Sequence, residues 1–363
     1  VSTARPSAGR LEALAERPGA SGEHRAVHAD SRYWQGYAAL QAGDLDTAST
    51  GFEAHRDLYA ALAEEAPENT GWRLELAYGH SNLGLILERQ GEPQEALKHY
   101  QRSLEVFEEL VEQNPGDAGL DLDLATSFLQ VGSVREDLGD LRGAITSYRD
   151  HLEILRRLSG EDPADAVMKE RRATAEAYVA QTLFRLGDVD GALEHGRWEV
   201  EVFAELSELD PENTRWRRHE AGARGRLGRA LGWGGKSGEG EAELARARET
   251  LGELVALNPG QTRWRRALAR QHQHLAELFS RGGRFAEARE EAERAVALLE
   301  PIAPNSRDPD LAAPWAKLLF AQGREAEAQR IFDRLIDEGY REPSLLAVAT
   351  SVGGSSPHSG GSG

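Results

Sequence analysis

Cysteine is absent from the 363 residues and methionine occurs once. The chain therefore has no disulfide framework, thiolate metal site, cysteine nucleophile or thiol switch, which is compatible with a reducing compartment. No apolar run reaches the roughly 18 residues needed to cross a bilayer. The polar start, residues 1–10, lacks the apolar core of a secretory signal. Positive charge is also in deficit, with 43 basic against 61 acidic side chains and a formal charge of −18. Nucleic acid and anionic lipid attract clustered lysine and arginine, so neither is an expected partner. These absences predict a soluble, cytoplasmic protein. What is present, 40% hydrophobic residues and seven tryptophans, suffices for a core. At roughly 150 residues per domain the length implies two or three globular units, unless repeats build the core by addition.

Repeats are there. Gly43, Gly91, Gly139, Gly187, Gly235 and Gly283 stand 48 residues apart. Pro67, Pro115, Pro163, Pro211 and Pro259 keep the same interval, as do Trp72, Trp216 and Trp264, with Leu120 and Met168 in the intervening places. Small residues follow each glycine by five positions at Ala48, Ala96, Ala144, Ala192 and Ala288, with Gly240 as the exception. A last unit, marked by Gly323 and Ala328, follows a shorter interval.

The pattern on both sides of each glycine is helical. Trp72, Leu76, Leu83 and Leu87 gather along one side of a helix, and Ala96, Tyr100, Phe107, Leu110 and Val111 form a second stripe after Gly91-Glu92-Pro93. Gly91 suits the end of one helix and Pro93 the first turn of the next. Proline-containing breaks such as Asn114-Pro115-Gly116-Asp117 separate the pairs. Each unit is thus expected to be an antiparallel hairpin of helices about 20 residues and roughly 30 Å long. One hairpin cannot bury its apolar side, but a stack can. The expected fold is all-α, a right-handed solenoid of about seven hairpins over residues 29–340. Small residues at Gly84, Ala96, Gly132, Ala144, Ala192 and Gly228 set how closely the helices approach.

These residues resemble the tetratricopeptide repeat family. Leu83-Gly84, Gly91, Ala96 with Tyr100, and Pro115 match its order, as do Gly132, Gly139, Ala144 with Tyr148, and Pro163. Ala48 with Phe52 and Ala328 with Phe332 repeat the signature at the ends. The resemblance covers roughly residues 31–340. The family's usual period is about 34 residues, so each of these units carries two extra helical turns per hairpin helix. The likeness is to long-helix bacterial modules, often fused to kinases, proteases or other effectors. His80, Phe128, Glu176, Arg224 and His272 stand where the family favours tryptophan.

Residues 1–28 read as a flexible or capping segment, with the first strong helix starting near Arg32. Residues 341–363 read as a cap remnant around Leu345, Leu346 and Val348 followed by a Gly/Ser-rich disordered tail, either a linker or an expression remainder. Between residues 222 and 240 the fifth repeat concentrates eight glycines, each costing ~1 kcal/mol in a helix interior. That stretch is expected to be a soft point, either a hinge or an irregular turn held by its neighbours.

No residue stands out as catalytic, cofactor-binding or metal-binding. Gly232-Trp233-Gly234-Gly235-Lys236-Ser237 suggests a phosphate loop but has Ala230 where its first glycine is required. The histidines lack metal-ligand spacing, and no carboxylate pair has an environment that would separate acid from base. Trp72, Trp216 and Trp264 fit packing between units, with a partner pocket as the alternative. Arginines are the remaining signal. Arg215, Arg217 and Arg218 lie beside Trp216, and Arg263, Arg265 and Arg266 beside Trp264, in adjacent units. Residues 41–130, by contrast, hold 18 acidic and five basic side chains. The arginines are either neutralised by carboxylates such as Glu199, Glu201 and Glu205 or dock an acidic peptide or protein through bidentate contacts. The expected function is a non-catalytic protein-interaction scaffold or regulatory sensor module, without cofactor, alone or with a fused or associated effector. Self-assembly through the stack ends and a helical-repeat enzyme are the alternatives.

Overall fold

The computed structural model describes residues 21–162, 164–304, 306, 309–321 and 323–337. Pro163, residues 1–20 and the expected cap and tail at 341–363 lie outside them. All regular structure among the described residues is helical, and the chain divides into two units, Val1–Glu161 and Asp162–Gly363. In the first, α1 (Gly22–Ala42) pairs with α2 (Leu45–Glu65), α3 (Thr70–Gln90) with α4 (Pro93–Gln113), and α5 (Ala118–Asp137) with α6 (Leu141–Glu161). The second contains α7 (Ala166–Arg185) with α8 (Val189–Leu209), α9 (Thr214–Trp233) with α10 (Ser237–Leu257), α11 (Thr262–Arg281) with α12 (Phe285–Leu299), and the shorter α13 (Pro309–Ala321) with α14 (Glu325–Asp337). Within each unit every helix packs on the next in the chain, so the antiparallel hairpins stack in order.

The chain reverses inside each hairpin through one local device. Gly43, Gly91, Gly139, Gly187, Gly235, Gly283 and Gly323 take φ between +75° and +85°, a region open to residues without Cβ. The amide after each glycine donates to the carbonyl five residues earlier, as Glu92 does to Leu87 at 2.8 Å and Asp140 to Arg135 at 2.8 Å. This closes the first helix and starts the second within three residues. Between hairpins the signal differs. Asn69, Asp117, Asp165 and Asn213 cap the following helix by accepting backbone N–H groups two or three residues on. Ser21 does the same for the N–H of His24, so α1 starts at Gly22, ten residues before the start expected near Arg32. Its first turns also pack, with Ala26 and Ala29 joining Tyr59, Leu62, Trp72 and Leu76.

Burial follows neighbours. Leu40, Ala48 and Phe52 of the first hairpin share a cluster with Leu83 and Ile86 of α3, whereas Ala77 of the same helix packs with Phe107, Leu110, Leu120 and Leu124. The residues expected to form one stripe on α3 thus serve three clusters, because Trp72 and Leu76 face the first hairpin's far end and Leu87 faces Val131 and Val134. Small residues stand where large ones intrude. A Cβ on Gly84 would lie 2.6 Å from the Tyr100 ring, and one on Gly132 would lie 2.6 Å from Tyr148. Each tyrosine hydroxyl then donates to a carboxylate of the same hairpin, Glu88 and Glu136 respectively.

The positions that depart from the tetratricopeptide pattern form polar rungs across the hairpins. His80 meets His99, with 3.1 Å between their Nδ1 atoms. Glu176 meets His195, Arg224 donates to Glu243 at 2.9 Å, and His272 meets Glu291. Partners are always 19 residues apart. In the third hairpin the two places hold Phe128 and Ser147, and Ser147 accepts from Arg135 at 3.0 Å. A polar pair can hold two helices in register because leaving either member unmatched is costly.

Four of the eight glycines sit inside a continuous α9 and two inside α10, and the irregular turn expected over 222–240 shrinks to Gly234, Gly235 and Lys236. Several mark close approaches. A Cβ on Gly228 would stand 2.8 Å from the Gly240 carbonyl oxygen, and one on Gly225 2.0 Å from Gln271. Gly222 is open, with Arg226 Nη1 at 3.4 Å as its nearest neighbour.

The two kinds of glycine should respond oppositely in urea unfolding. Gly84→Ala and Gly228→Ala should each lose about 1 to 3 kcal/mol by overpacking, whereas Gly222→Ala should gain up to ~1 kcal/mol of helix propensity. Equal shifts at all three would contradict the close-approach account. The His80–His99 rung makes a pH prediction. Burial first, then His99 and Arg56, brings His80 from 6.5 down to about 4, and burial also lowers His99. The unfolded chain therefore binds more protons than the folded one between these values, so stability should fall as pH drops from about 6.5 to about 4. The double variant His80→Phe, His99→Ser, which copies the third hairpin, should show a shallower fall in Tm across that window than the unaltered chain. An equal slope would contradict the assignment.

Candidate functional site

The six arginines singled out by sequence divide by direction. Arg215 forms a 2.5 Å ion pair with Glu170 of α7, a buried carboxylate that also accepts the Trp216 indole N–H at 3.0 Å. Arg217 turns to the second helix of its own hairpin and pairs with Glu253 at 2.5 Å. Arg265 donates back to the Pro259 carbonyl at 2.6 Å, while Arg266 is half-buried and engaged on α11. Arg218 and Arg263 have no carboxylate at ion-pair distance among the described residues, and Arg218 instead donates to His219 Nε2 at 2.8 Å. Arg215 and Arg263 lie close enough for their fields to act on Arg218, whereas Arg217 and Arg265 are committed to Glu253 and to the Pro259 carbonyl.

That proximity is felt electrostatically. Burial depresses Arg218 below its ordinary value, and the fields of Arg263, Arg215 and Arg226 depress it further, against Glu170 alone. His219 is brought to about 4 by burial and by Arg218, Arg226, Arg215 and Arg263. It is therefore neutral near pH 7. A guanidinium keeps its proton in proteins, so Arg218 remains a half-desolvated cation with no carboxylate at ion-pair distance among the described residues.

Other arginines on the same helices are compensated. Arg226 pairs with Glu199, whose carboxyl is nevertheless raised because burial outweighs the arginine. Arg224 joins Glu220 at 2.8 Å and Glu243 at 2.9 Å. Arg229 meets Glu277 at 3.1 Å, and the same carboxylate accepts the Trp233 indole at 3.1 Å while Arg281 lies 3.8 Å over the Trp233 ring. Of the neutralisers named from sequence, Glu199 takes Arg226, Glu205 takes Lys169 at 3.2 Å, and Glu201 is exposed. Glu170 and His219 were missed, although Glu170 occupies the place equivalent to Arg218 one repeat earlier.

The first helices of successive hairpins build this surface. Helix α9 touches both α7 and α11, which carries Glu170 and Arg263 to the two sides of Arg218. The tryptophans stay in the packing, Trp216 against the cluster around Phe203 and Trp264 against Leu251 and Leu254. Among the described residues no group of three or more His, Cys, Asp or Glu could hold a metal. No described helix is long and apolar enough to cross a membrane.

A tetratricopeptide repeat family model matches residues 77–110, the core of the second hairpin. No curated protein matches the chain. Among solved structures, a tetratricopeptide repeat protein from Parabacteroides merdae ATCC 43184 is 17% identical over 89% of this chain and 98% of that one, with a TM-score of 0.50. The apo form of RapI is 11% identical over 89% of this chain and 98% of that one, with a TM-score of 0.56. Together with the hairpin stack, these similarities make the fold tetratricopeptide-like.

Proposed function

We propose that the chain is a non-catalytic protein-interaction scaffold or regulatory module that seats an acidic peptide segment of a partner on the first helices of its fifth and sixth hairpins. One observation carries the reading. Arg218 is half-buried, lies in the fields of Arg263 and Arg215, and has no carboxylate at ion-pair distance among the described residues. Holding like charges together is unfavourable, and a docked carboxylate would relieve it through charge-assisted contacts that a guanidinium fork makes well. A surface spanning two hairpins suits an extended segment, since each first helix offers its side chains in the same direction.

A displayed library of random heptapeptides, selected on the full chain, tests this. Asp- or Glu-rich sequences should be enriched, and Arg218→Ser with Arg263→Ser should weaken the best of them by about tenfold or more, the order lost when a charged contact is removed. Arg217→Ser with Arg265→Ser should change the dissociation constant less than threefold, because those guanidinium groups are committed elsewhere. An unchanged constant in the Arg218, Arg263 variant rejects the site.

A further inference from the structure

The first unit carries a cavity of about 590 Å³ with the opposite character. Its wall is formed by Asp30, Tyr33 and Trp34 of α1, Glu75 and Tyr78 of α3, and Asp123 of α5, and among the described residues no lysine or arginine lines it. Among the described residues the carboxylates are tied to neutral or weakly basic groups. Asp30 accepts the Tyr59 hydroxyl at 2.6 Å, Asp123 accepts the Tyr78 hydroxyl at 2.7 Å, and Glu75 lies 3.5 Å from His55 Nε2. His55 lines the same cavity, is 1% exposed, and its Nδ1 has no hydrogen-bond partner among the described residues.

Aromatic faces complete the wall. Tyr33 packs edge-on to Trp34 with centroids 5.2 Å apart and stacks with Tyr37 at 6.2 Å. Trp34 is 63% exposed, so its face is open to an incoming group. Burial raises Tyr33, Tyr59 and Tyr78, the hydrogen bonds to Asp30 and Asp123 raise the last two further, and the field of Glu75 adds a smaller push to all three. Negative charge that no described lysine or arginine neutralises, set beside electron-rich rings, is the chemistry that holds an alkylammonium or guanidinium group.

We infer that this cavity receives a lysine or arginine side chain presented by a peptide segment of a partner protein. The inference rests on the scaffold reading but uses a different unit and the opposite charge. The cation would sit on the exposed Trp34 ring and share the carboxylates of Glu75 and Asp123, while the serine, threonine and amide groups of α3 and α5 meet the segment's backbone.

The same heptapeptide selection on the full chain tests it with a second readout. Sequences bearing Lys or Arg should be enriched as a class separate from the acidic one. Glu75→Gln should weaken the best basic peptide by about tenfold, and so should Trp34→Ala, an exposed position where truncation leaves the core intact. The Arg218, Arg263 variant should leave the basic peptide's binding unchanged. Absence of a basic class, or equal affinity in both Glu75→Gln and Trp34→Ala, overturns the inference. If acidic peptides still bind in that case, the scaffold reading survives and only this cavity assignment falls. Tetramethylammonium alone binding more tightly than any basic peptide would also overturn it, in favour of a small quaternary ligand.

Discussion

Each hairpin depends on apolar sides that its own two helices cannot cover. Helix α3 places Leu83 and Ile86 against the first hairpin and Ala77 against Phe107, Leu120 and Leu124. The second unit repeats the arrangement, with Ala223 and Leu227 of α9 facing Phe203 and Leu206, and Ala221 facing Leu251, Leu254 and Leu268. A core of this kind grows one hairpin at a time. Close approach makes it work. The Gly84–Tyr100 and Gly132–Tyr148 contacts let ring and backbone touch, and positive-φ glycines fix where each chain reversal occurs.

Much of that architecture was legible because it is local and periodic. The turn glycines, Pro93 at a helix start and the small residues facing tyrosines each act within about 20 residues, and repetition at equivalent places raises a weak preference above noise. The helix at Gly22 was less legible, since its start depends on the Ser21 cap and on burial against Tyr59 and Trp72 rather than on a stripe of its own. The fifth repeat misled for a related reason. Helix propensity treats Gly225 and Gly228 as weaknesses, whereas the Gly240 carbonyl leaves no room for a side chain at Gly228 and the Gln271 side-chain amide fills the space beside Gly225. The polar rungs were readable in principle, as complementary residues 19 positions apart, but only once the two helices are known to face each other.

Side-chain direction was the harder part. Arg217 and Arg218 are adjacent in sequence, yet one reaches Glu253 and the other stays with Arg215 and Arg263. A step of one residue turns a helical side chain by about 100°, so a run of arginines cannot all serve one surface. The same geometry makes the two units electrically unlike. Equivalent repeat positions hold Glu75 and Asp123 in the first unit and Arg171 and His219 in the second. One scaffold thereby offers surfaces of opposite charge without any change in the backbone pattern that supports them.

Neighbour-dependent burial is tested most directly by circular dichroism and urea unfolding of two fragments, residues 70–113 alone and residues 21–161. The single hairpin should be largely unfolded in water, because α3 and α4 leave both outer sides without a partner. The three-hairpin fragment should be helical and unfold in one cooperative transition. A single hairpin as helical and as resistant to urea as the longer fragment would contradict the account.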